Sequence, residues 1–249
     1  MLKKFKNTSL LFSVVFVLII TLTGFTTSTK STFTIQFENV VGNDILKLDN
    51  ATYKNSFGQT FTVSKFKYYI SNIRLKNISG KEFKSKEYFL VDEENLKSKT
   101  LSLKAIPEGE YSSITFTVGV DSLHNCSGVQ KGALDPVKGM FWAWNTGYIF
   151  MKLEGHSPQS FSQGKLFEFH IGGFEAPNNC IRTVTLPLSK HLKAGKEIAS
   201  ALKVKADILK LFNSKTAIDF SKMSSVTAKH NATTVADNYA LMFSVSEIK

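Results

Sequence analysis

Tyr111-Ser112-Ser113-Ile114-Thr115-Phe116-Thr117-Val118-Gly119-Val120 alternates apolar and small or polar residues, and it decides the fold. Side chains repeating every second position lie on one face of an extended chain. Ile114, Phe116, Val118 and Val120 therefore share a buried face. Working outward, Phe33, Ile35 and Phe37 repeat the pattern, as do Phe61 and Val63. Residues 68–75 continue it with a change of parity, which predicts a bulge. Strands are also expected over 142–153, 165–171, 181–188 and 201–208. Turn residues separate them at Asn55-Ser56-Phe57-Gly58, Pro107-Glu108-Gly109 and Pro177-Asn178-Asn179. Many short strands between turns predict an all-β chain, an antiparallel β-sandwich or barrel with short helices and long loops. Helices are expected at 93–97 and 235–242.

The N-terminus carries Lys3, Lys4 and Lys6, then an apolar stretch over 10–22, then small and polar residues to Ser28. That is the layout of a secretory signal peptide. The apolar stretch is shorter than the ~20 residues of a spanning helix, so residues 1–28 are expected to be cleaved, leaving no stable membrane span. The expected location is periplasmic or secreted. Residues 29–249 contain no linker or repeat and are expected to form one domain. The net charge is +11 and falls to +8 without the three leader lysines. The lysines are scattered and no nucleic-acid-binding motif is present, so the charge describes a solvated surface that favours anionic partners.

Cys126 and Cys180 are the only cysteines. An even count in an exported chain predicts a disulfide. The competing role, a pair of thiolate metal ligands, lacks any recognised spacing. No Gly-x-Ser-x-Gly, His-Glu-x-x-His or phosphate-binding glycine loop is present, so a non-enzymatic role is expected.

Chemistry concentrates at Gly139-Met140-Phe141-Trp142-Ala143-Trp144-Asn145-Thr146-Gly147-Tyr148, which holds both tryptophans of the chain. In a continuous strand, Met140, Trp142 and Trp144 would share a face. A thioether suits Cu(I), and an indole face attracts a cation. An intact indole N–H only donates and cannot ligate through nitrogen. Packing in the core is the simpler role for such residues. Among five histidines, His170 lies in Phe167-Glu168-Phe169-His170-Ile171-Gly172-Gly173, where parity sets it opposite the phenylalanines. Adjacent glycines permit close backbone approach. His124, beside Cys126, and His230 are further candidates. His156 and His191 stand in polar surroundings typical of surface residues.

The run Met140-Phe141-Trp142-Ala143-Trp144 resembles the Met-x-Trp-x-Trp motif of the MbnP-like family, exported copper-binding proteins associated with methanobactin operons. The resemblance extends through Phe33-x-Ile-x-Phe, Phe57-Gly58, Lys67-Tyr68-Tyr69-Ile70-Ser71-Asn72-Ile73, Gly119-Val120-Asp121, Leu153-Glu154-Gly155, Phe169-His170-Ile171-Gly172-Gly173 and residues 237–243. It implies a β-sandwich that acquires, buffers or delivers Cu(I). It also implies oxidation of one tryptophan, Trp142 or Trp144, to kynurenine by a partner dihaem enzyme of the cytochrome c peroxidase type. The amine of the opened ring, unlike the indole, has a lone pair for copper. The resemblance assigns His170 as a ligand, with His124 or His230 completing the site; Met140 is a further metal candidate through its thioether. Acquisition would call for a copper-uptake partner in the envelope. The alternative is an exported ligand- or partner-binding sandwich whose tryptophan pair is structural. A copper redox enzyme is a third and weaker alternative.

Overall fold

A computed structural model describes residues 31–142, 147–195, 200–227 and 231–249. The expected leader at 1–28, Trp144 and His230 lie outside the described residues. The main strands are β1 (Ser31–Val41), β2 (Thr60–Asn77), β3 (Thr100–Ile106), β4 (Gly109–Val118), β5 (Gly147–His156), β6 (Leu166–Gly172), β7 (Arg182–Ala194), β8 (Ser200–Asp207) and β9 (Phe243–Ile248). The helices are α1 (Ser122–Cys126), α2 (Ile208–Phe212) and α3 (Ala232–Tyr239). The smaller sheet runs β9-β8-β1, with β3 on the other edge of β1. The larger runs β7-β4-β2-β5-β6 and ends on the short Ser225–Val226 strand. The two sheets enclose one apolar core, the all-β sandwich that the alternation predicts. No helix among the described residues is long and apolar enough to cross a membrane.

Burial follows parity. Ile114, Phe116, Val118 and Val120 are fully buried, as are Phe33 and Ile35. Phe37 of β1 meets Phe116 of β4 and Phe243 of β9 edge to face, at centroid distances of 5.9 and 6.1 Å. The Phe37–Phe116 contact joins the two sheets, through ring geometry that favours positive edges on negative faces. The parity change in β2 is a bulge: pairing with β4 shifts between Ser71 and Arg74, and Asn72 takes φ 49°. Between the sheets, Tyr68 donates to Asn39 at 2.8 Å; Asn39 in turn donates to Glu93 at 2.8 Å, and Lys99 donates to Glu93 at 2.8 Å. A buried polar group without partners costs about 1–3 kcal/mol, and this chain of bonds removes that cost.

Several local expectations change. The sandwich is not purely antiparallel: β1 and β8 pair in parallel, as do β6 and Ser225–Val226. The expected strand over 142–153 is a hairpin, in which the short strand Phe141–Trp142 turns back to pair with Gly147 and Tyr148 of β5. Trp142 therefore stands on a short strand of its own, paired back against the start of β5. The helix expected at 93–97 is a 3-10 turn at Leu96–Lys99, and the last helix begins earlier, at Ala232. Two short helices were invisible to periodicity. They start at aspartate caps: Asp121 accepts from the His124 amide at 3.0 Å, and Asp207 from the Leu209 amide at 3.0 Å.

Candidate functional site

The outer face of the larger sheet carries the site. In β6, Phe167, Phe169 and Ile171 are buried in the core while His170 emerges on the opposite face, as parity requires. Register sets His170 opposite Lys152 of β5, and Lys152 opposite Lys67 of β2. One step along, Glu154 lies between Glu168 and Lys65. The His170 Nε2 lies 2.8 Å from Glu154 Oε1, and Lys65 Nζ donates to the other carboxylate oxygen at 3.1 Å. The hydrogen bond from His170, together with Lys65, outweighs burial and lowers the Glu154 carboxyl to about 2. A carboxylate accepts, so Nε2 carries a proton; in the neutral imidazole the lone pair is then on Nδ1.

The motif is tied to this face. After the turn at Pro136–Lys138, Gly139 takes φ 71°, and its carbonyl accepts from Lys152 Nζ at 2.6 Å. Burial lowers the Lys152 pKa. The Met140 carbonyl accepts from the Ile149 amide at 2.9 Å, which closes the hairpin. Met140 is fully buried and Trp142 is 6% exposed. The Trp142 ring covers Gly172, two residues beyond His170 on the same strand. A Cβ at Gly172 would lie 2.7 Å from Trp142 Cζ3. Trp142 thus packs on β6 two positions along from His170.

His124 belongs to a separate cluster. Its Nδ1 lies 3.0 Å from Asp121 Oδ1 and 2.9 Å from the Tyr88 hydroxyl, which also bonds Asp121. The Tyr88 and His124 rings are 4.6 Å apart. These bonds hold the imidazole between its own helix and the segment that carries Tyr88. His156 is exposed, and His191 Nδ1 lies 3.4 Å from Glu110, as expected of surface residues.

The disulfide expectation is corrected: both cysteines are free. Cys180 is buried, its amide donating to Gly173 at 2.8 Å and its carbonyl accepting from Tyr239. Its thiol donates to Asn178 at 3.5 Å, and burial raises its pKa to about 12. Cys126 ends α1 and is exposed. One thiol packs inward and the other faces solvent, so no bridge joins them.

The chemistry of the donors bears on copper. His170 offers Nδ1 with a carboxylate behind Nε2, the arrangement that orients many metal-ligating imidazoles. The Met140 thioether, by contrast, is fully buried in the core. Among the described residues, no three His, Cys, Asp or Glu side chains group as a metal cage. Imidazole and thioether donors each suit a soft cation rather than a hard one. Glu154, Lys65 and Lys152 were missed in the sequence. Their signal was the charge at alternate positions 152 and 154, facing 168 and 170.

The chain is similar to a solved structure, MbnP from Methylosinus trichosporium, with a TM-score of 0.51 and 16% identity. The match covers 77% of this chain and 80% of that one. No curated protein matches the chain. The family model described as MbnP matches residues 30–234. With that span added to the Met-x-Trp-x-Trp motif and the strand that carries His170, the chain belongs to the MbnP family.

Proposed function

We propose that this protein is an exported, non-catalytic copper-binding protein that acquires, buffers or delivers Cu(I). The observation that carries this proposal is the placement of Trp142 over Gly172, beside an imidazole whose Nε2 is held by Glu154. His170 would supply Nδ1 to the metal, with Glu154 fixing the ring and Lys65 holding the carboxylate. Lys152 would hold the Gly139 carbonyl and so the entry to the motif. Bound copper would supply a soft acceptor for these donors. Oxidation of Trp142 or Trp144 by a partner dihaem enzyme would add an aromatic amine. An envelope partner would then take or supply the metal.

The test is Cu(I) retention by protein purified from its native host. His170→Ala should abolish tight retention, whereas His191→Ala, at an exposed position, should leave it intact. Equal retention by His170→Ala and the parent would reject the site. A second reading is favoured by the burial of Trp142: a partner-binding sandwich in which this indole only fills the space above Gly172. Under it, neither histidine variant changes metal content.

A further inference from the structure

The opposite end of the sandwich carries a feature that copper binding does not use. Among the described residues, Phe57 and Phe161 are the only exposed phenylalanines, at 52% and 62%. Both stand at the same end. Phe57 lies in the turn leading into β2, and Phe161 in the loop from β5 to β6. Thr62 of β2, His156 of β5 and Leu166 of β6 lie side by side there. Leu166 is also exposed. Trp142 covers Gly172 at the other end of β6, about 20 Å away at ~3.3 Å per residue.

These tips are held out rather than left loose. Asn55 Oδ1 accepts from the Phe57 and Gln59 amides at 3.0 Å. Gln59 donates to Asp219 at 2.7 Å and accepts from the Phe220 amide at 3.0 Å. Ser157 donates to the Thr60 carbonyl at 2.7 Å, and the Ser162 and Ser224 hydroxyls meet at 2.8 Å. Three loops thus form one hydrogen-bonded frame. Directly beneath, Phe61, Phe167, Phe212 and Phe220 fill the core, with Phe167 and Phe220 stacked at 4.9 Å. A filled core offers the two outer rings no inward place.

The same loops are cationic. Lys54 and Lys165 are exposed beside the two phenylalanines, and Lys210 shares a cleft with Lys54. The Lys222 side chain is 82% exposed. The acid among them, Asp219, is engaged by Gln59, Ser221 and, at 3.8 Å, Lys222. Rings at loop tips surrounded by lysines match the boundary between anionic headgroups and acyl chains. A protein groove would instead call for a continuous, closely packed apolar patch.

We infer that this end docks on an anionic membrane surface. Phe57 and Phe161 enter the headgroup boundary while Lys54, Lys165, Lys210 and Lys222 meet lipid phosphates. The Trp142 and His170 end then faces away from the bilayer. This inference does not depend on copper binding.

The test uses the full chain carrying Phe161→Trp or, separately, Phe57→Trp, with parent emission subtracted. Vesicles of phosphatidylglycerol with phosphatidylcholine should shift each new indole's emission to the blue, and brominated acyl chains should quench it. Vesicles of phosphatidylcholine alone should do neither. Adding Lys54→Gln and Lys165→Gln should weaken the anionic response on the order of tenfold. The apolar N-terminal stretch is common to all variants and cannot place a new indole in lipid at this end. No shift with anionic vesicles overturns the inference, as does an equal shift with neutral ones. An emission shift that appears without vesicles and tracks dimer formation overturns it in favour of a second copy.

Discussion

Trp142 and Gly172 are in such close contact that a single methyl group at position 172 would meet the indole at 2.7 Å. The Tyr148 carbonyl lies 2.5 Å from the same point, so backbone as well as a ring would have to yield. Gly172→Ala should therefore destabilise the fold by about 1–3 kcal/mol. It should also lift the Phe141–Trp142 hairpin from β6. Denaturant unfolding reads the first effect, and near-ultraviolet dichroism of the tryptophans reads the second. Unchanged stability and spectrum would mean that the indole has another resting place.

Glu154 makes acid stability informative. Its pKa is lowered from 4.5 to about 2, first by the His170 hydrogen bond and then by Lys65. A depressed carboxyl stabilises the fold fully above its unfolded value and loses that contribution as pH falls through its folded value. The window is pH 4.5 down to about 2. Glu154→Gln should flatten the fall in stability across this window and leave the neutral-pH side little affected by the titration. Identical acid unfolding curves for variant and parent would remove the ion pair from the account.

The same substitution should act on copper. Glu154 orients the imidazole without contacting the proposed metal, and loss of such a partner typically weakens metal affinity ~10–100-fold. Competition with a Cu(I) chelator should show Glu154→Gln lying between the parent and His170→Ala. A variant as weak as His170→Ala would instead make the carboxylate itself a ligand.

The two thiols should differ sharply. Cys126 is exposed, whereas Cys180 is buried with its pKa raised to about 12. A disulfide-exchange reagent should titrate one thiol in the native protein and two after unfolding without reductant. Two unreactive sulfurs after unfolding would show a bridge and contradict the structure.

Mass spectrometry of protein from the native host tests the modification. Kynurenine formation adds two oxygen atoms and then removes the elements of carbon monoxide, so the tryptic peptide gains a defined small mass at Trp142 or Trp144. Fragmentation should place the change on one of them. Unmodified tryptophans in copper-loaded native protein would detach oxidation from metal binding.

The sequence by itself determined which residues face inward. Alternation in 111–120 and 167–171 required a sheet with Ile114, Phe116, Phe167 and Phe169 inside and His170 outside, because side chains on a strand have a period of two. The broken parity near Asn72 required a bulge for the same reason. The Met-x-Trp-x-Trp motif marked the family locally. Only the tertiary structure decided the partners. That Glu154 faces His170, that Trp142 folds back onto Gly172 and that β1 lies parallel to β8 are matters of register between distant segments. Periodicity carries no information on register, because either face of a strand can meet any apolar neighbour until turns and packing select one. The cysteines failed as a pair for a related reason: an even count speaks of redox environment, whereas bonding needs two β-carbons brought together by the fold. The exposure of Phe57, legible in sequence only as a turn residue, and of Phe161 was equally silent. Each resembles a core residue until the packed rings beneath leave it no room and three bonded loops hold it in solvent.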